Sequence, residues 1–103
     1  MCGILGVVHN NNCKISSDYF FELLNTIERR GPDKKDFNEF SYKDFSLKLG
    51  HTRLSILDLN DTGDQPMQSH SGRFTLIYNG EIYNHTELRK RLDSKGHVSW
   101  RGT

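Results

Sequence analysis

The chain opens with Met1-Cys2-Gly3-Ile4-Leu5-Gly6-Val7-Val8-His9, and this run predicts its first structural element. Residues 4–9 are mostly aliphatic or β-branched, which favours a buried strand. Gly3 and Gly6 permit another backbone to approach this strand closely. We therefore expect a buried strand that begins almost at the terminus and holds Cys2 in place.

Beyond this run, hydrophobic spacing and turn residues predict two helices and four further strands. Ser16 or Ser17 would cap the first helix, and Asn84 with Glu87 resembles a capping box for the second. The segment 57–71 is rich in turn residues, as long functional loops often are. Strands grouped between two helices indicate an α+β fold with antiparallel sheet. The predicted bounds are 18–30 and 85–95 for the helices and 37–42, 45–53, 74–78 and 97–100 for the strands.

Two patterns predict which side chains are buried. In strand 45–53, the odd-numbered Phe45, Leu47 and Leu49 are predicted to face the core, because side chains alternate across a strand. The even-numbered Ser46 and Lys48 would then face solvent. In the first helix, apolar residues at helical spacing predict a buried stripe of Phe20, Leu23, Leu24 and Ile27.

The composition bounds the class of protein. The chain has 103 residues and a net charge of +1, with a mean hydropathy of −0.70. This suffices for one small domain with a lean core, and the charge gives no reason to expect nucleic acid or a membrane surface as partner. No run is apolar enough to span a bilayer, and no signal peptide is evident. Cys2 and Cys13 are too few for a disulfide scaffold, so we expect reduced thiols in a cytoplasmic protein.

Cys2 is the first candidate for chemistry. If Met1 is removed, this residue carries both a thiol and a free α-amine. An α-amine titrates at about 7.7–8.0, so it can take the thiol proton and later give it to a leaving amine without a histidine partner. The alternative is an ordinary small residue at a frayed terminus. The apolar run that follows favours the nucleophile.

Asn79-Gly80 is the second candidate. An Asn-Gly pair between extended segments is typical of a hairpin with a type I′ turn. It can also supply an oxyanion hole, in which the Asn79 amide and the Gly80 N–H donate to the oxyanion of an acyl transfer. The two interpretations are compatible, because a tight turn can aim both donors.

Arg53 is the third candidate, since it ends a predicted strand. Its guanidinium could hold a substrate carboxylate with two hydrogen bonds, or it could form an ordinary surface ion pair. His51 is expected to be a partly buried histidine whose hydrogen bonds are satisfied. Cysteines and histidines show no zinc-type spacing and no P-loop is present, so no metal or cofactor is expected in this segment.

Five segments, in order, resemble one family: the class II glutamine amidotransferases, which are N-terminal-nucleophile hydrolases. The Pro-Asp after Arg-Gly and the Leu-Ser-Ile run favour its asparagine synthetase branch over the glucosamine-phosphate and purine amidotransferases. A sixth segment, 100–103, resembles a later strand, so the resemblance covers the whole chain. The five are Met1-Cys2-Gly3-Ile4-Leu5-Gly6, Arg30-Gly31-Pro32-Asp33, Gly50-His51-Thr52-Arg53-Leu54-Ser55-Ile56 with Asp58, Gln65-Pro66-Met67 and Tyr78-Asn79-Gly80-Glu81-Ile82-Tyr83-Asn84.

The resemblance implies a role for each matched residue. Cys2 would attack the side-chain amide of glutamine, and Asn79 and Gly80 would form the oxyanion hole. Arg53 would hold the glutamine α-carboxylate. The glutamine pocket would be lined by Leu54, Ser55, Ile56, Leu57, Asn79, Gly80 and Glu81.

The resemblance also implies what surrounds these residues. Residues 1–103 would be the N-terminal part of a glutaminase domain with the αββα sandwich of N-terminal-nucleophile hydrolases, truncated to part of each sheet plus two helices. The remainder of that domain and an ATP-dependent synthetase domain, using ATP and Mg²⁺, would follow. The parent enzyme would supply ammonia for amidation of aspartate. The alternative acceptor is another carboxylate, for example in surface-polysaccharide biosynthesis.

Two hypotheses of other classes stay open. The chain alone is expected to be inactive, and it could be a non-catalytic remnant or an interaction module. Missing strands would leave sheet edges open, and open edges can pair with a second copy to give a homodimer. A third, weaker hypothesis is a thiol or metal site that uses Cys2 and Cys13.

Overall fold

The computed structural model describes residues 1–56, 59–96 and 98–102. Its described residues form two antiparallel sheets and two helices, which confirms the predicted α+β class. Within these ranges, no helix is long and apolar enough to cross a membrane. The elements are β1 (Gly3–Asn10), α1 (Ser17–Asn25), β2 (Lys34–Ser41), β3 (Phe45–Arg53), β4 (Met67–Gln68), β5 (Thr75–Leu76) and α2 (His85–Lys95), with 3₁₀ turns at Glu28–Arg30 and Asp61–Gly63.

The larger sheet has the strand order β1-β3-β2, so β3 lies in its centre. The register pairs Gly3 of β1 with Thr52 of β3. It also pairs Lys34 of β2 with Arg53 of β3. The start of β1, the start of β2 and the end of β3 therefore meet at one end of the sheet, and Cys2 precedes β1 there.

Helix α1 packs on one face of this sheet and supplies the core. Ser16 caps it, as predicted, by accepting a hydrogen bond from a backbone N–H of the first turn. Phe20 and Leu24 are fully buried, and a Cβ added at Gly50 would lie 3.0 Å from atoms of both. The Phe37 ring of β2 lies 5.3 Å from the Phe20 ring. A glycine in the central strand thus lets the helix sit directly on the sheet.

Helix α1 ends earlier than predicted. It stops at Asn25 and is followed by the 3₁₀ turn Glu28–Arg30, whereas the sequence pattern predicts a helix to residue 30. The Thr26 hydroxyl and the Ile27 N–H each donate to the carbonyl three residues back. These bonds tighten the last turn, which ends the helix. Leu23 and Ile27, predicted to be buried, are only half-buried.

The predicted orientation of β3 is wrong. Ser46 and Lys48 are buried, with 8% and 6% exposure, whereas Phe45 is 42% exposed. Helix α1 lies over the even-numbered face of β3, the face that carries Gly50. The odd-numbered face carries Leu47, which is half-buried. Alternation along a strand separates its two faces, but it does not tell which of them the rest of the chain covers.

The turn at Asn79-Gly80 is not the predicted hairpin. A type I′ turn requires positive φ at both central residues, and neither residue has one. The hairpin of the smaller sheet, β4–β5, turns instead at Gly72, whose φ is 71°. The predicted strand 74–78 is correspondingly reduced to the two residues of β5.

The C-terminal predictions are partly wrong. Helix α2 begins where predicted, after Asn84, but the Asn84 side chain makes no capping hydrogen bond. The capping box is therefore not formed. Val98, Ser99 and Trp100 belong to no strand, although a strand over 97–100 is predicted, and position 97 lies outside the described residues.

Candidate functional site

The predicted site residues converge on one cavity of about 480 Å³ beside the N-terminus. Leu57, which was also predicted, lies outside the described residues. A larger, open cleft of about 770 Å³ runs along β2 and contains none of the predicted residues. The smaller cavity is the candidate site because it holds the thiol. Its predicted lining residues are Cys2, Arg53, Leu54, Ser55, Ile56, Asn79, Gly80 and Glu81.

Cys2 is half-buried and is held by backbone groups. The Leu54 N–H donates to its Sγ at 3.3 Å, and the Leu54 carbonyl lies 3.6 Å from the same sulfur. On the other side, the Arg30 Nε donates to the Cys2 carbonyl at 3.1 Å. The backbone groups of Leu54 and the Arg30 side chain therefore hold Cys2 from two directions. The residue is thus fixed in position.

Gly31 lets the segment that follows Arg30 lie directly on the end of β3. A Cβ added at Gly31 would lie 2.3 Å from the Thr52 carbonyl carbon and oxygen. The Asp33 N–H donates to the Arg53 carbonyl at 3.0 Å. The Asp33 carboxylate accepts the Ser55 N–H at 2.7 Å. The segment 30–33 thus braces both Cys2 and Ser55, a role that its sequence did not predict.

Arg53 forms an ion pair, but a buried one rather than the surface pair considered from the sequence. Its side chain is 9% exposed, and its Nη1 donates to Asp64 Oδ1 at 2.6 Å and to the Asn60 carbonyl at 2.8 Å. Asp64 also pairs with Lys34. Burial raises the pKa of Asp64, but the hydrogen bonds from Lys34 and Arg53 outweigh it and hold the pKa below its usual value. Asp64 is therefore ionised at neutral pH.

The Tyr78–Gly80 segment also lines the cavity. The Gln65 Oε1 accepts the Tyr78 N–H at 2.5 Å. A Cβ added at Gly80 would lie 2.5 Å from the Tyr78 hydroxyl. Glycine at position 80 thus leaves room for the Tyr78 ring, and its φ is not positive. Asn79 between them is half-buried.

His51 contradicts the expectation of a histidine with satisfied hydrogen bonds. Its side chain is 1% exposed, and its two ring nitrogens have no hydrogen-bond partner among the described residues. Burial lowers the pKa of the ring, and the backbone of Tyr78 partly opposes that shift. His51 therefore lines the cavity as a neutral imidazole.

Several lining residues were not predicted. All of them except Gly63 and His85 lie in segments that carry the family resemblance, which is the signal that could have identified them. No periodicity or spacing marks the others. The described residues contain no group of three or more His, Cys, Asp or Glu that could hold a metal ion. The unpredicted lining residues are Met1, His51, Gly63, Gln65, Tyr78, Ile82, Tyr83 and His85.

The family follows from a comparison with known proteins. A family model for the glutamine amidotransferase domain matches residues 1–103. The chain therefore belongs to the glutamine amidotransferase domain family, and the predicted resemblance is confirmed. Its relatives also bear out the asparagine synthetase branch.

The relatives are glutamine-hydrolyzing asparagine synthetases. The enzyme of Brassica oleracea is 40% identical over 95 residues, which cover 89% of this chain and 15% of the relative. Asparagine synthetase 3 of Arabidopsis thaliana is 40% identical over 97 residues, covering 91% of this chain and 16% of the relative. Asparagine synthetase 1 of Bacillus subtilis strain 168 is 34% identical over 101 residues, covering 95% and 15%. The chain spans about a fifth or less of the length of the curated relatives it matches. No solved structure matches it significantly.

Proposed function

We propose that residues 1–103 are the N-terminal part of a glutaminase domain in an asparagine synthetase-like enzyme. The observation that carries the proposal is the meeting of Cys2, Arg53 and Asn79-Gly80 around one cavity. These residues supply a nucleophile, a cation and hydrogen-bond donors, as hydrolysis of the glutamine side-chain amide requires. The larger sheet, with α1 on one face, would be part of an αββα sandwich.

The reaction begins at the Cys2 thiol. Met1 is 73% exposed and so is open to enzymatic removal, which frees the α-amine of Cys2. That amine takes the thiol proton, and the thiolate attacks the side-chain carbonyl carbon of glutamine. A carbon–sulfur bond forms, and the carbonyl oxygen becomes an oxyanion that Asn79 and Gly80 stabilise.

The second half of the reaction releases both products. The tetrahedral intermediate collapses, the carbon–nitrogen bond breaks, and the α-ammonium returns its proton to the departing nitrogen, so ammonia leaves. The resulting thioester is then attacked by water, with the same α-amine as general base. The carbon–sulfur bond breaks, glutamate leaves and the Cys2 thiol is regenerated.

Substrate orientation would depend on Arg53. Its guanidinium would hold the α-carboxylate of glutamine, because arginine matches a carboxylate with two parallel hydrogen bonds. Leu54, Ser55, Ile56 and Glu81 would line the pocket, and so would Leu57. A cavity of about 480 Å³ accommodates an amino acid of this size.

The test is a comparison of two cysteine substitutions in the full-length gene product with Met1 removed. Cys2→Ala should abolish glutamate release from glutamine, because the nucleophile is lost. Cys13→Ala is the matched control: Cys13 is exposed and lies outside the cavity, so activity should stay within twofold of the wild type. Glutamate release by Cys2→Ala at the wild-type rate would refute the mechanism.

The fate of the ammonia is a separate part of the proposal. It would pass to an acyl-adenylate in a synthetase domain outside residues 1–103. That domain would use ATP as cosubstrate and Mg²⁺ as cofactor. The names of the relatives favour aspartate as acceptor, with another carboxylate as the alternative. Supplying glutamine, ATP and aspartate to the full-length protein should yield asparagine. Glutaminase activity without asparagine formation would indicate another acceptor.

A further inference from the structure

We propose that Asp64 and Gln65 are a pair of positioning residues, Asp64 for Arg53 and Gln65 for the Tyr78–Gly80 turn. This inference rests on the proposed glutaminase function. It deepens that function by assigning two residues that the mechanism above does not use. The two are adjacent in the chain but contact different lining residues of the cavity, Arg53 and Tyr78, so each should affect a different part of the reaction.

Asp64 holds the Arg53 guanidinium through an ion pair. The carboxylate accepts from Nη1 at 2.6 Å, and the Asn60 carbonyl accepts from the same nitrogen at 2.8 Å. The side chains of Arg53 and Asp64 are 9% and 17% exposed, so water screens this ion pair only weakly. A charge-assisted hydrogen bond of this kind fixes the direction in which the guanidinium points.

Lys34 makes this arrangement compatible with an anionic substrate. It pairs with Asp64, so Lys34, Asp64 and Arg53 together carry one net positive charge. Asp61 also lies near Lys34, at 3.9 Å, but it is 96% exposed, and water screens its charge. The negative charge of Asp64 is therefore shared between Lys34 and Arg53.

Gln65 holds the Tyr78–Gly80 segment. Its Oε1 accepts the Tyr78 N–H at 2.5 Å, across a sequence separation of 13 residues. Tyr78 immediately precedes Asn79-Gly80, and its ring packs where a Cβ of Gly80 would be. A fixed Tyr78 therefore sets the direction of the peptide that carries both oxyanion donors.

The first experiment concerns Asp64 in the full-length enzyme. Asp64→Asn should raise KM for glutamine about tenfold or more and leave kcat within twofold, because a misdirected Arg53 weakens carboxylate binding. With 4-aminobutanamide, which lacks the α-carboxylate, this variant and the wild type should react equally fast. Asp61→Asn is the matched control, an exposed carboxylate of the same loop, and should leave KM within twofold.

The second experiment concerns Gln65. Gln65→Leu should lower kcat about tenfold with KM within twofold, because oxyanion donors act mainly in the transition state. Gln65→Glu keeps an acceptor for the Tyr78 N–H and should restore kcat to within threefold. Gln68→Leu is the matched control, since Gln68 is an exposed glutamine of the same segment, and should leave kcat unchanged.

The pattern across the variants decides the inference. Equal changes in KM and kcat for both variants, or a penalty of Asp64→Asn that persists with 4-aminobutanamide, would overturn it, because both indicate a merely structural role. Thermal melting shows which variants are folded. Where Asp64→Asn is unfolded, Asp64→Glu keeps the charge and should raise KM about threefold at unchanged kcat. A wild-type enzyme without glutaminase activity would instead overturn the proposed function.

Discussion

The thiol of Cys2 is held by the peptide backbone of Leu54 and not by the side chain of a base. Such contacts direct the sulfur without supplying a group that titrates near neutrality. The Arg30 Nε donates to the Cys2 carbonyl and so fixes the same residue. This contact also supplies no group that accepts a proton. In the proposed mechanism the general base is therefore the α-amine that removal of Met1 would free, because that amine is attached to Cys2 itself.

His51 makes the stability of this chain depend on pH. Burial lowers the pKa of its ring from 6.5 in the folded state. Above about 6.5 the ring is neutral in the folded and unfolded chain, so it has no effect. As the pH falls below 6.5, the unfolded chain takes up the proton first, and the free energy of unfolding decreases until the folded-state pKa is passed.

We therefore expect His51→Phe to reduce this dependence on pH. Between pH 7.5 and 5.5, the wild type should lose more unfolding free energy in urea denaturation than His51→Phe does. His70→Phe is the control: His70 is exposed, so that variant should follow the wild-type profile. The same loss in the wild type and in His51→Phe would show that the buried imidazole does not cause it.

At the level of the elements, the two helices differ in how they are stabilised. Helix α1 buries Phe20 and Leu24 completely, whereas α2 buries none of its residues. Trp100 follows α2 in the chain, and its indole N–H donates to Asp93 of the helix at 2.8 Å. The larger sheet therefore depends on α1 for its core, and α2 adds little apolar burial.

A pair of leucine substitutions tests this difference. Leu24→Ala should lower the free energy of unfolding by about 2–5 kcal/mol, because it leaves a cavity in a closely packed core. Leu92→Ala is the matched control on α2, where Leu92 is 48% exposed, and should cost less than about 1 kcal/mol. Equal costs in urea denaturation would contradict the assignment of the core to α1.

At the scale of the whole molecule, the larger sheet is open at its edges. Strands β1 and β2 are the outer strands, and within the described residues neither pairs with a further strand. The prediction that β1 is a buried strand is also wrong, because its apolar side chains are exposed, Ile4 at 48% and Val8 at 68%. Unpaired edges with exposed apolar residues promote pairing between chains.

We therefore expect the isolated chain of residues 1–103 to self-associate. Its apparent mass in size-exclusion chromatography should rise with concentration, and Val8→Lys should reduce that rise because an edge lysine opposes pairing. Ser94→Lys, which adds the same charge on the exposed helix α2, is the control and should not. A chain that stays monomeric at all concentrations would count against this expectation.

The sequence predicted which residues line the candidate cavity better than it predicted the packing. The positions of β1 and β3 and the identities of Cys2, Arg53 and Asn79-Gly80 follow from local patterns, since strand formation and side-chain chemistry depend on nearby residues. The family resemblance, confirmed by the comparison, extended those patterns to one site. Cys2 and Arg53 meet because β1 pairs with β3, whereas Asn79-Gly80 lies in neither sheet and reaches the cavity through the tertiary structure.

Other features were decided only by the tertiary structure. Which face of β3 lies under α1, and hence the burial of Lys48, depends on a helix distant in sequence. The buried pairing of Arg53 with Asp64 and the hydrogen bond from Tyr78 to Gln65 are also tertiary contacts. Each joins residues through space across a loop whose path no local pattern determines. Local propensity specifies the elements, whereas burial and long-range hydrogen bonds are set when the elements pack together.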